Sequence, residues 1–296
     1  MSSKNNNAAG SLLILLAGIL WGSMGLFVRR LSALGFDSVQ ITAGRLCFAA
    51  LLFWLLLLLR PKEERAIRLR DLPLFLGLGL ASILFFTVCY FAAIAIMPLS
   101  TAAILLYTSP IWVTLLSALL FHERLTAAKL IALGMAFGGC VLVSGLGGGL
   151  TLRGLLLGLG AGLGYGLYSI LGSIALRRYS PYTVTAWTFL IAGIGALCIC
   201  RPAEMLSLVG DSASPVGTVL FFLLTAFVTA VIPFLSYTLG LRSVEAGKAA
   251  ILATVEPMVA SLLGVLVFRE ALSLSALLGI LLILGAVVLL SLPKQK

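Results

Sequence analysis

The residue with the clearest chemical potential in this chain is a carboxylate inside an apolar run. Glu256 lies in the stretch ILATVEPMVASLLGVLVF, and Pro257 follows it directly. An ionisable residue at the centre of a membrane helix costs about 2.5–3.5 kcal/mol on insertion scales and is a functional hypothesis by default. The proline removes one helical hydrogen bond and is predicted to free the carbonyl of Ala253. Such a kinked helix would present a carboxylate, able to exchange a proton, to a cavity. The alternative is a protonated Glu256 that clamps its helix to a neighbour.

A second proline lies in a similar apolar run, at Ser109-Pro110. It is predicted to break its helix at the equivalent depth and to free the carbonyl of Leu106. Two discontinuous helices at matching positions are the best sequence indication of a transporter binding site. The alternative is two kinks that serve packing only.

Aromatic and hydroxyl residues gather at a similar depth. A mixture of apolar walls and a few orienting polar groups suits an amphipathic organic ligand. For any single residue the alternative is an interfacial aromatic belt or a hydroxyl bonded to its own helix. The candidate substrate-binding residues, with Glu256, are Trp21, Ser23, Thr87, Tyr90, Tyr107, Thr108, Ser109, Tyr165, Tyr168, Ser169, Ser236, Tyr237 and Thr254.

The remaining charged residues in or beside apolar segments are given structural roles. Arg45 is expected to extend its charge to the membrane interface, with binding of an anionic substrate as the alternative. Glu123 and Glu270 are expected to pair with a basic residue or to cap the next helix, and a gating role is also considered. The single histidine, His122, and five scattered cysteines have no metal-site spacing. The sequence therefore predicts neither a metal nor a cofactor.

The composition defines the class of protein that must position these residues. Of 296 residues, 61% are hydrophobic and 10% are charged, whereas a soluble domain has roughly a quarter of its residues charged. Most apolar blocks reach 18 residues or more, close to the 20 or so that cross a bilayer as a helix. The sequence predicts an all-α polytopic membrane protein with ten transmembrane helices. The predicted spans are Ser11–Val28, Val39–Leu59, Leu74–Ile96, Ser100–Phe121, Ala127–Ser144, Gly154–Leu176, Tyr182–Cys200, Val216–Leu241, Ala246–Phe268 and Leu274–Leu292.

The distribution of Lys and Arg predicts the orientation of these spans. If the N-terminus is cytoplasmic, 14 basic residues fall in cytoplasmic segments and 5 in external ones. Because basic residues concentrate on the cytoplasmic side, both termini are expected in the cytoplasm and the chain in the cell (inner) membrane. The segment 201–211 is expected as an external loop. The net charge of +10 follows from this distribution, so no nucleic-acid partner is predicted.

The two halves of the chain are related by an internal repeat. A constant offset of 147 residues places Pro110 on Pro257 and Glu123 on Glu270, within a gapless match of 15 identities in 43 positions. The repeats are predicted at 1–146 and 147–296. Each holds five spans, an odd number, so the second repeat enters the membrane inverted. Inverted repeats are typical of secondary transporters, in which a midplane site is exposed alternately to the two sides.

The segments ILWGSMGLFVRRL, AAILLYTSPIWVTLLSALLFHERLT and AAILATVEPMVASLLGVLVFREALS resemble the EamA-type branch of the drug/metabolite transporter superfamily. The resemblance implies ten helices around a central cavity and transport, often export, of amino acids or other metabolites. It also places helices 1, 3, 4, 6, 8 and 9 around the cavity and helices 2, 5, 7 and 10 outside.

The predicted function is therefore secondary transport of small organic solutes across a lipid bilayer, by a protein that is not an enzyme. One alternative is an integral-membrane enzyme acting on lipids or isoprenoids, which would need acids, histidines or metal ligands clustered at one interface. A non-transporting scaffold or receptor is the other alternative. A homodimer is compatible with the sequence.

Overall fold

The computed structural model describes residues 2–145, 151–269, 271 and 273–291. Over these residues, all of the regular structure is helical. Nine of the helices are long and apolar enough to cross a membrane, and a shorter apolar helix, Leu274–Leu290, follows them as helix 10. In chain order, the candidate membrane-spanning parts of helices 1 to 9 are Asn7–Ala33, Ser38–Leu58, Lys62–Ile94, Thr101–Phe121, Ala127–Ser144, Leu152–Ala175, Pro181–Ile199, Pro215–Gly240 and Ala246–Phe268.

Helices 4 and 9 are both broken near their middle, where the prolines lie. Helix 4 divides into Leu99–Leu106 and Ser109–Phe121, and helix 9 divides into Ala246–Leu252 and Val255–Phe268. Pro110 and Pro257 occupy the second and third positions of their half-helices, where the missing N–H has no intrahelical partner to lose.

A third break, in helix 1, differs from the predicted continuous span. Helix 1 consists of Ser2–Gly22 and Met24–Ala33, which meet at Ser23. No proline lies here. Instead the Ser23 hydroxyl donates to the Leu20 carbonyl over 2.7 Å, and Gly22 precedes it. A serine bonded to its own backbone beside a glycine competes with the regular helix and bends it.

Helices 3 and 8 each contain a wider π-helical segment that the sequence pattern did not predict. These segments are Gly77–Leu84 in helix 3 and Phe227–Val231 in helix 8. Under the 147-residue offset, residues 80–84 align with residues 227–231, so both repeats contain the π-helical distortion at equivalent positions. Such insertions are frequent near functional sites.

The helix ends also follow the 147-residue offset. Ala127–Ser144 and Leu274–Ser291 are the corresponding fifth helices of the two repeats. His122 and Arg269, again 147 residues apart, end their helices with left-handed φ angles of 54° and 56°. A positive φ is uncommon outside glycine, so its recurrence at equivalent positions supports the repeat. Glu270, predicted as the partner of Glu123 in this repeat, lies outside the described residues.

Each repeat packs its first helix against the broken helix of the other repeat. A Cβ on Gly22 of helix 1 would lie 2.6 Å from the Glu256 carbonyl in helix 9, and one on Gly162 of helix 6 would lie 2.7 Å from the Leu105 carbonyl in helix 4. Two interlocked bundles result, one of helices 1, 8 and 9 and the other of helices 3, 4 and 6. Helix 2 packs along helix 7, and helix 5 packs along helix 10.

Four connecting segments lie at one end of the bundles, which we call the basic end. They are residues 59–71, 122–126, 176–180 and 241–245. Asp71 accepts hydrogen bonds of 2.7 Å from Arg178 and from the hydroxyl of Tyr179. Burial, together with the bond to Asp71, raises the pKa of Tyr179. This clasp joins the start of helix 3 to the turn before helix 7.

At the opposite end, the expected loop at residues 201–211 contains a helix, Pro202–Gly210. Pro202 starts it, and Glu204 lies in its first turn, two features that favour helix initiation. Met205 and Leu208 pack against the apolar cluster of Leu31, Phe36, Ile41 and Phe222. The predicted connection between helices 7 and 8 therefore contains a short helix that the sequence pattern did not indicate, and this helix packs on residues from distant segments.

Candidate functional site

A small central cavity lies between the two bundles, close to the breaks in helices 4 and 9. Water-sized space inside it amounts to about 20 Å³, which is enough for a water molecule but not for an organic solute. Helices 1, 4, 6, 8 and 9 all contribute to its wall. The lining residues are Trp21, Ser109, Val113, Tyr165, Gly166, Tyr168, Ser169, Phe234, Tyr237, Ala250 and Ala253.

One side-chain hydrogen bond joins the bundles beside this cavity. The Tyr165 hydroxyl, on helix 6, donates to Oε2 of Glu256, on helix 9, over 3.0 Å. Glu256 is the eleventh residue of the 23-residue helix 9, so it lies near the middle of the span. Glu256 is partly exposed rather than fully buried. A carboxylate at this position can bind a cation, or it can take up and release a proton.

Helix 6 makes two further hydroxyl contacts with helix 8, one turn closer to the basic end. The Tyr168 hydroxyl lies 2.7 Å from the Thr238 hydroxyl, and Ser169 lies 2.7 Å from the Tyr237 hydroxyl. The Tyr and Ser groups involved are buried. The pairs satisfy these polar groups within the protein and join helix 6 to helix 8 at the wall of the cavity.

Trp21 forms the aromatic wall on helix 1. Its ring centroid lies 5.0 Å from that of Phe234, 5.4 Å from that of Tyr237 and 6.1 Å from that of Tyr165. The Trp21 side chain is buried, and its indole Nε1 has no hydrogen-bond partner among the described residues. A buried donor without a partner is unusual, so the Trp21 indole N–H is one unsatisfied polar group beside the cavity.

Arg45 does not extend to the membrane interface as the sequence analysis expected. It is 6% exposed, and its Nη1 donates to Met24 Sδ on helix 1 over 3.4 Å. The interface prediction was wrong because the Arg45 side chain is buried within the protein, where helix 2 packs against the second part of helix 1 and the guanidinium contacts Met24.

Other candidate residues pack near the helix breaks or bond to their own helices. Tyr107 is half-buried and packs against the cluster that contains Val255, and Tyr90 is half-buried between helices 3, 4 and 6. The hydroxyls of Thr108 and Thr254, each 2.6 Å from the carbonyl three residues earlier, stabilise the helix breaks, as Ser23 does in helix 1.

Two candidate residues lie away from the central cavity. In addition, a carbonyl that was expected to be free accepts a hydrogen bond. Thr87 bonds to the Ile83 carbonyl and lines a separate apolar pocket between helices 2, 3 and 7. Ser236 is buried but is not one of the lining residues. The Ala253 carbonyl, expected to be free, accepts the Glu256 N–H over 3.1 Å, because the chain tightens into a short turn at the break.

The structure adds residues that the sequence analysis did not select. Phe234 packs against Trp21 and Tyr168, and Thr238 bonds to Tyr168. Both flank Tyr237 on helix 8, and Phe234 shares its face because it lies three residues earlier. That spacing was a usable signal for Phe234, whereas nothing in the sequence pairs Thr238 with helix 6.

The basic end is closed by an ionic contact between the repeats. Glu123 pairs with Lys129 and accepts the backbone N–H of Ala246 over 3.0 Å, at the start of helix 9. Lys129 also lies 3.5 Å from Glu245. The prediction that Glu123 pairs with a basic residue is confirmed. The helix start that it caps is that of helix 9 rather than that of the next helix, helix 5, which Thr126 caps.

Comparison with known proteins adds independent information. An uncharacterized transporter of Archaeoglobus fulgidus is 32% identical over 281 residues, which cover 95% of each chain. The pseudopaline exporter CntI of Pseudomonas aeruginosa is 35% identical over 120 residues, or 40% of each chain. A solved crystal structure with 22% identity has a TM-score of 0.77 and covers 95% of both chains, so the fold is shared.

The model of the EamA-like transporter family matches the chain twice, over residues 8–145 and 152–292. The matches account for nearly the whole length, one in each half, and agree with the multi-pass helical architecture described above. The resemblance of the helix 1, helix 4 and helix 9 segments to this family is therefore confirmed, and the chain belongs to the EamA-like transporter family.

Proposed function

We propose that this protein moves small organic solutes across the membrane by alternating access at the cavity beside Glu256. The observation that carries the proposal is the Tyr165–Glu256 hydrogen bond, which joins the two bundles at mid-span next to the paired helix breaks. The moving units are the bundle of helices 1, 8 and 9 and the bundle of helices 3, 4 and 6. The repeats at 1–146 and 147–296 supply both.

The size of the cavity supports a cycle that requires the bundles to separate. About 20 Å³ of water-sized space must widen before a solute enters. The contacts that resist widening are hydroxyl and carboxylate pairs between helix 6 and helices 8 and 9. Such groups bond to water or solute once the cavity opens, so each pair contributes only about 0.5–1.5 kcal/mol net. These hydrogen bonds therefore stabilise the closed arrangement of the two bundles, but they are weak enough for the bundles to separate.

The lining supports an amphipathic solute, such as an amino acid or a related metabolite. We assign substrate contact to the aromatic wall and hydroxyl groups around the cavity and the acidic role to Glu256. Export is the proposed direction, in keeping with the related pseudopaline exporter. The excess of basic residues in the loops of the basic end supports an inner-membrane protein with both termini in the cytoplasm.

Metabolite profiling of the growth medium tests the transport function. Cells that overexpress the protein should release specific organic solutes above the level of an empty-vector control. Export that depends on pH should become independent of pH in Glu256→Gln, because glutamine keeps the shape and hydrogen bonding but removes the titrating group. If the medium from expressing cells matches the vector control, the transport proposal is wrong. If Glu256→Gln folds and exports with an unchanged rate and pH profile, Glu256 is a structural clamp.

A further inference from the structure

We propose that Glu123 and Lys129 form a gate that closes the central site toward the basic end, and that this gate sets the resting state of the transport cycle. The proposal rests on the alternating access proposed above. In the resting state, helices 4 and 9 are in contact at the basic end and apart at the opposite end, so the site opens toward the basic end only after the gate contact breaks.

The gate contact joins the two bundles. Glu123 follows helix 4, and its Oε1 accepts the N–H of Ala246, where helix 9 of the other bundle begins. Its Oε2 bonds to Lys129, whose ammonium group also lies 3.5 Å from Glu245, directly before helix 9. A Cβ on Gly247 would come within 2.8 Å of the Lys129 Nζ, so the lysine is enclosed by the start of helix 9. These contacts form only while the start of helix 9 lies against the end of helix 4.

The packing of the half-helices differs between the two ends. At the basic end, Ala246–Leu252 of helix 9 packs along Ser109–Phe121 of helix 4. Under the 147-residue offset, these segments correspond to Leu99–Leu106 of helix 4 and Val255–Phe268 of helix 9, which would meet at the opposite end if both repeats had one conformation. In the described part of the chain, this second pair has no comparable packing. Helices 4 and 9 are therefore joined at the basic end and separated at the opposite end.

Burial of the first half-helices differs in the same way. Both contain the sequence AAIL, at 102–105 in helix 4 and at 249–252 in helix 9. All four residues are buried in helix 9, whereas the last three are partly exposed in helix 4. Because the residues are identical, the difference comes from their surroundings. Helix 9 is covered at the basic end, and helix 4 is less covered at the opposite end.

Each bundle is also held together by a contact that occurs in both repeats. The guanidinium of Arg177, after helix 6, lies 5.1 Å from the ring centroid of Phe121 in helix 4, and that of Arg29 in helix 1 lies 3.9 Å from the ring centroid of Phe268 in helix 9. Both are cation–π contacts within one bundle, so they persist while the bundles move. The Glu123 contact crosses between the bundles, so it must break in each cycle.

The lysine of the gate has no counterpart in the second repeat, which makes the two ends unequal. Under the 147-residue offset, Lys129 corresponds to Ala276, so closing the opposite end forms no equivalent contact with a lysine. A charge-assisted contact favours the arrangement in which it forms, and an equilibrium between two states moves toward the state with the better contacts. The arrangement closed at the basic end is therefore the resting state.

Distances between pairs of spin labels, measured by pulsed electron paramagnetic resonance in lipid nanodiscs, test the gate without requiring transport. The labels are attached to single cysteines in a variant without the native cysteines. Labels at Arg124 and Arg242, both exposed, span the two bundles at the basic end. Labels at Ser32 and Ala95, also exposed, span them at the opposite end.

Glu123→Gln combined with Lys129→Met removes the ion pair without leaving a buried charge. In this double variant, the share of protein with the longer distance at the basic end should rise about tenfold, since a charge-assisted contact is lost. The share with the shorter distance at the opposite end should rise by the same factor. Arg201→Met combined with Glu204→Gln, which removes an exposed ion pair within one short helix, is the matched control and should leave both distances unchanged.

The outcomes separate the gate from the transport function. If the double variant keeps the wild-type distances, or if the basic end widens with no change at the opposite end, the inference is wrong even where the wild type exports solutes. If both distances change as expected but the wild type exports nothing above the vector control, the gate stands and the transport function fails. Size-exclusion profiles in detergent show whether each variant folds. Where the double variant does not fold, Glu123→Asp decides: its shorter side chain cannot hold Lys129 and the Ala246 N–H equally well, and unchanged distances in this variant overturn the inference.

Discussion

Lys129 and Glu123 form an ion pair that is almost wholly enclosed at the basic end of the bundles. Their side chains are 5% and 9% exposed, and the lysine stem lies against Gly247 of helix 9. The pair thereby ties the turn between helices 4 and 5 to the start of helix 9. Under the 147-residue offset, Lys129 corresponds to Ala276, so the second repeat has no equivalent lysine. The ion pair therefore has no counterpart with an equivalent lysine in the second repeat.

Lys129→Met should destabilise the protein strongly because it leaves the Glu123 carboxylate buried without its cation. We expect a loss of about 3–5 kcal/mol in the free energy of unfolding, measured by SDS-induced unfolding in mixed micelles. Adding Glu123→Gln should restore much of the loss, since no buried charge then remains. Arg201→Met, which breaks an exposed pair with Glu204, is the control and should change the free energy by at most about 1 kcal/mol. A loss of that small size in Lys129→Met would show that the buried pair does not hold this end closed.

Tyr165→Phe should slow transport and alter its pH dependence while leaving the fold intact. The variant removes the hydroxyl that donates to Glu256, at a cost of about 0.5–1.5 kcal/mol. Transport rates across a pH series provide the measurement. Tyr168→Phe also removes one buried hydroxyl, but Thr238 keeps its bond to the Phe234 carbonyl, so the pH profile of this control should match the wild type. Identical pH profiles for the two variants would argue against a special role of Tyr165.

Replacing two glycines of helix 6 with alanine should change the stability of the protein differently. A Cβ on Gly162 would lie 2.6 Å from the Thr108 hydroxyl and 2.7 Å from the Leu105 carbonyl, so Gly162→Ala should cost about 1–3 kcal/mol through overpacking. A Cβ on Gly160 would meet nothing closer than Cys89 Sγ at 3.5 Å. Gly160→Ala should therefore be neutral or stabilising by up to about 1 kcal/mol. Thermal unfolding in detergent checks both, and equal midpoints would refute the close contact between helices 4 and 6.

Asp71→Asn should weaken the clasp between helices 3 and 7. The substitution removes the charge that accepts hydrogen bonds from Arg178 and Tyr179, and charge-assisted bonds are stronger than those between neutral groups. A lower midpoint of thermal unfolding is the expected result. Asp211→Asn changes an exposed aspartate bonded to Ser207 and should leave the midpoint unchanged. A midpoint for Asp71→Asn equal to that of the control would contradict the clasp.

Labelling of single cysteines should reveal the orientation of the chain. In a variant without the native cysteines, a cysteine at Lys62 and one at Arg177 should both be protected from a membrane-impermeant maleimide applied to intact cells. A cysteine at Ala213, in the exposed turn before helix 8, should react. Permeabilised cells serve as the control in which all three react. Reaction of Lys62 and Arg177 from different sides would be incompatible with inverted five-helix repeats.

The sequence by itself determined the features that depend on local backbone chemistry and on apolar length. A proline lacks an N–H group wherever it stands, so Pro110 and Pro257 indicated the breaks in helices 4 and 9 before any packing was known. The length and hydropathy of the segments required membrane helices. The 147-residue offset is a property of the chain, and the helix ends and left-handed residues follow it.

Only the tertiary structure decided how the two repeats interlock and which side chains therefore meet. Tyr165 and Glu256 lie 91 residues apart in the chain, and Arg45 is buried against Met24 of helix 1, 21 residues before it. The π-helical segments and the helix Pro202–Gly210 likewise depend on neighbours from distant segments. The physical reason is that almost every residue of a membrane span is apolar, so periodicity does not distinguish the face toward lipid from the face toward protein. That choice is made by packing, where glycines allow backbones to approach and buried polar groups must find partners.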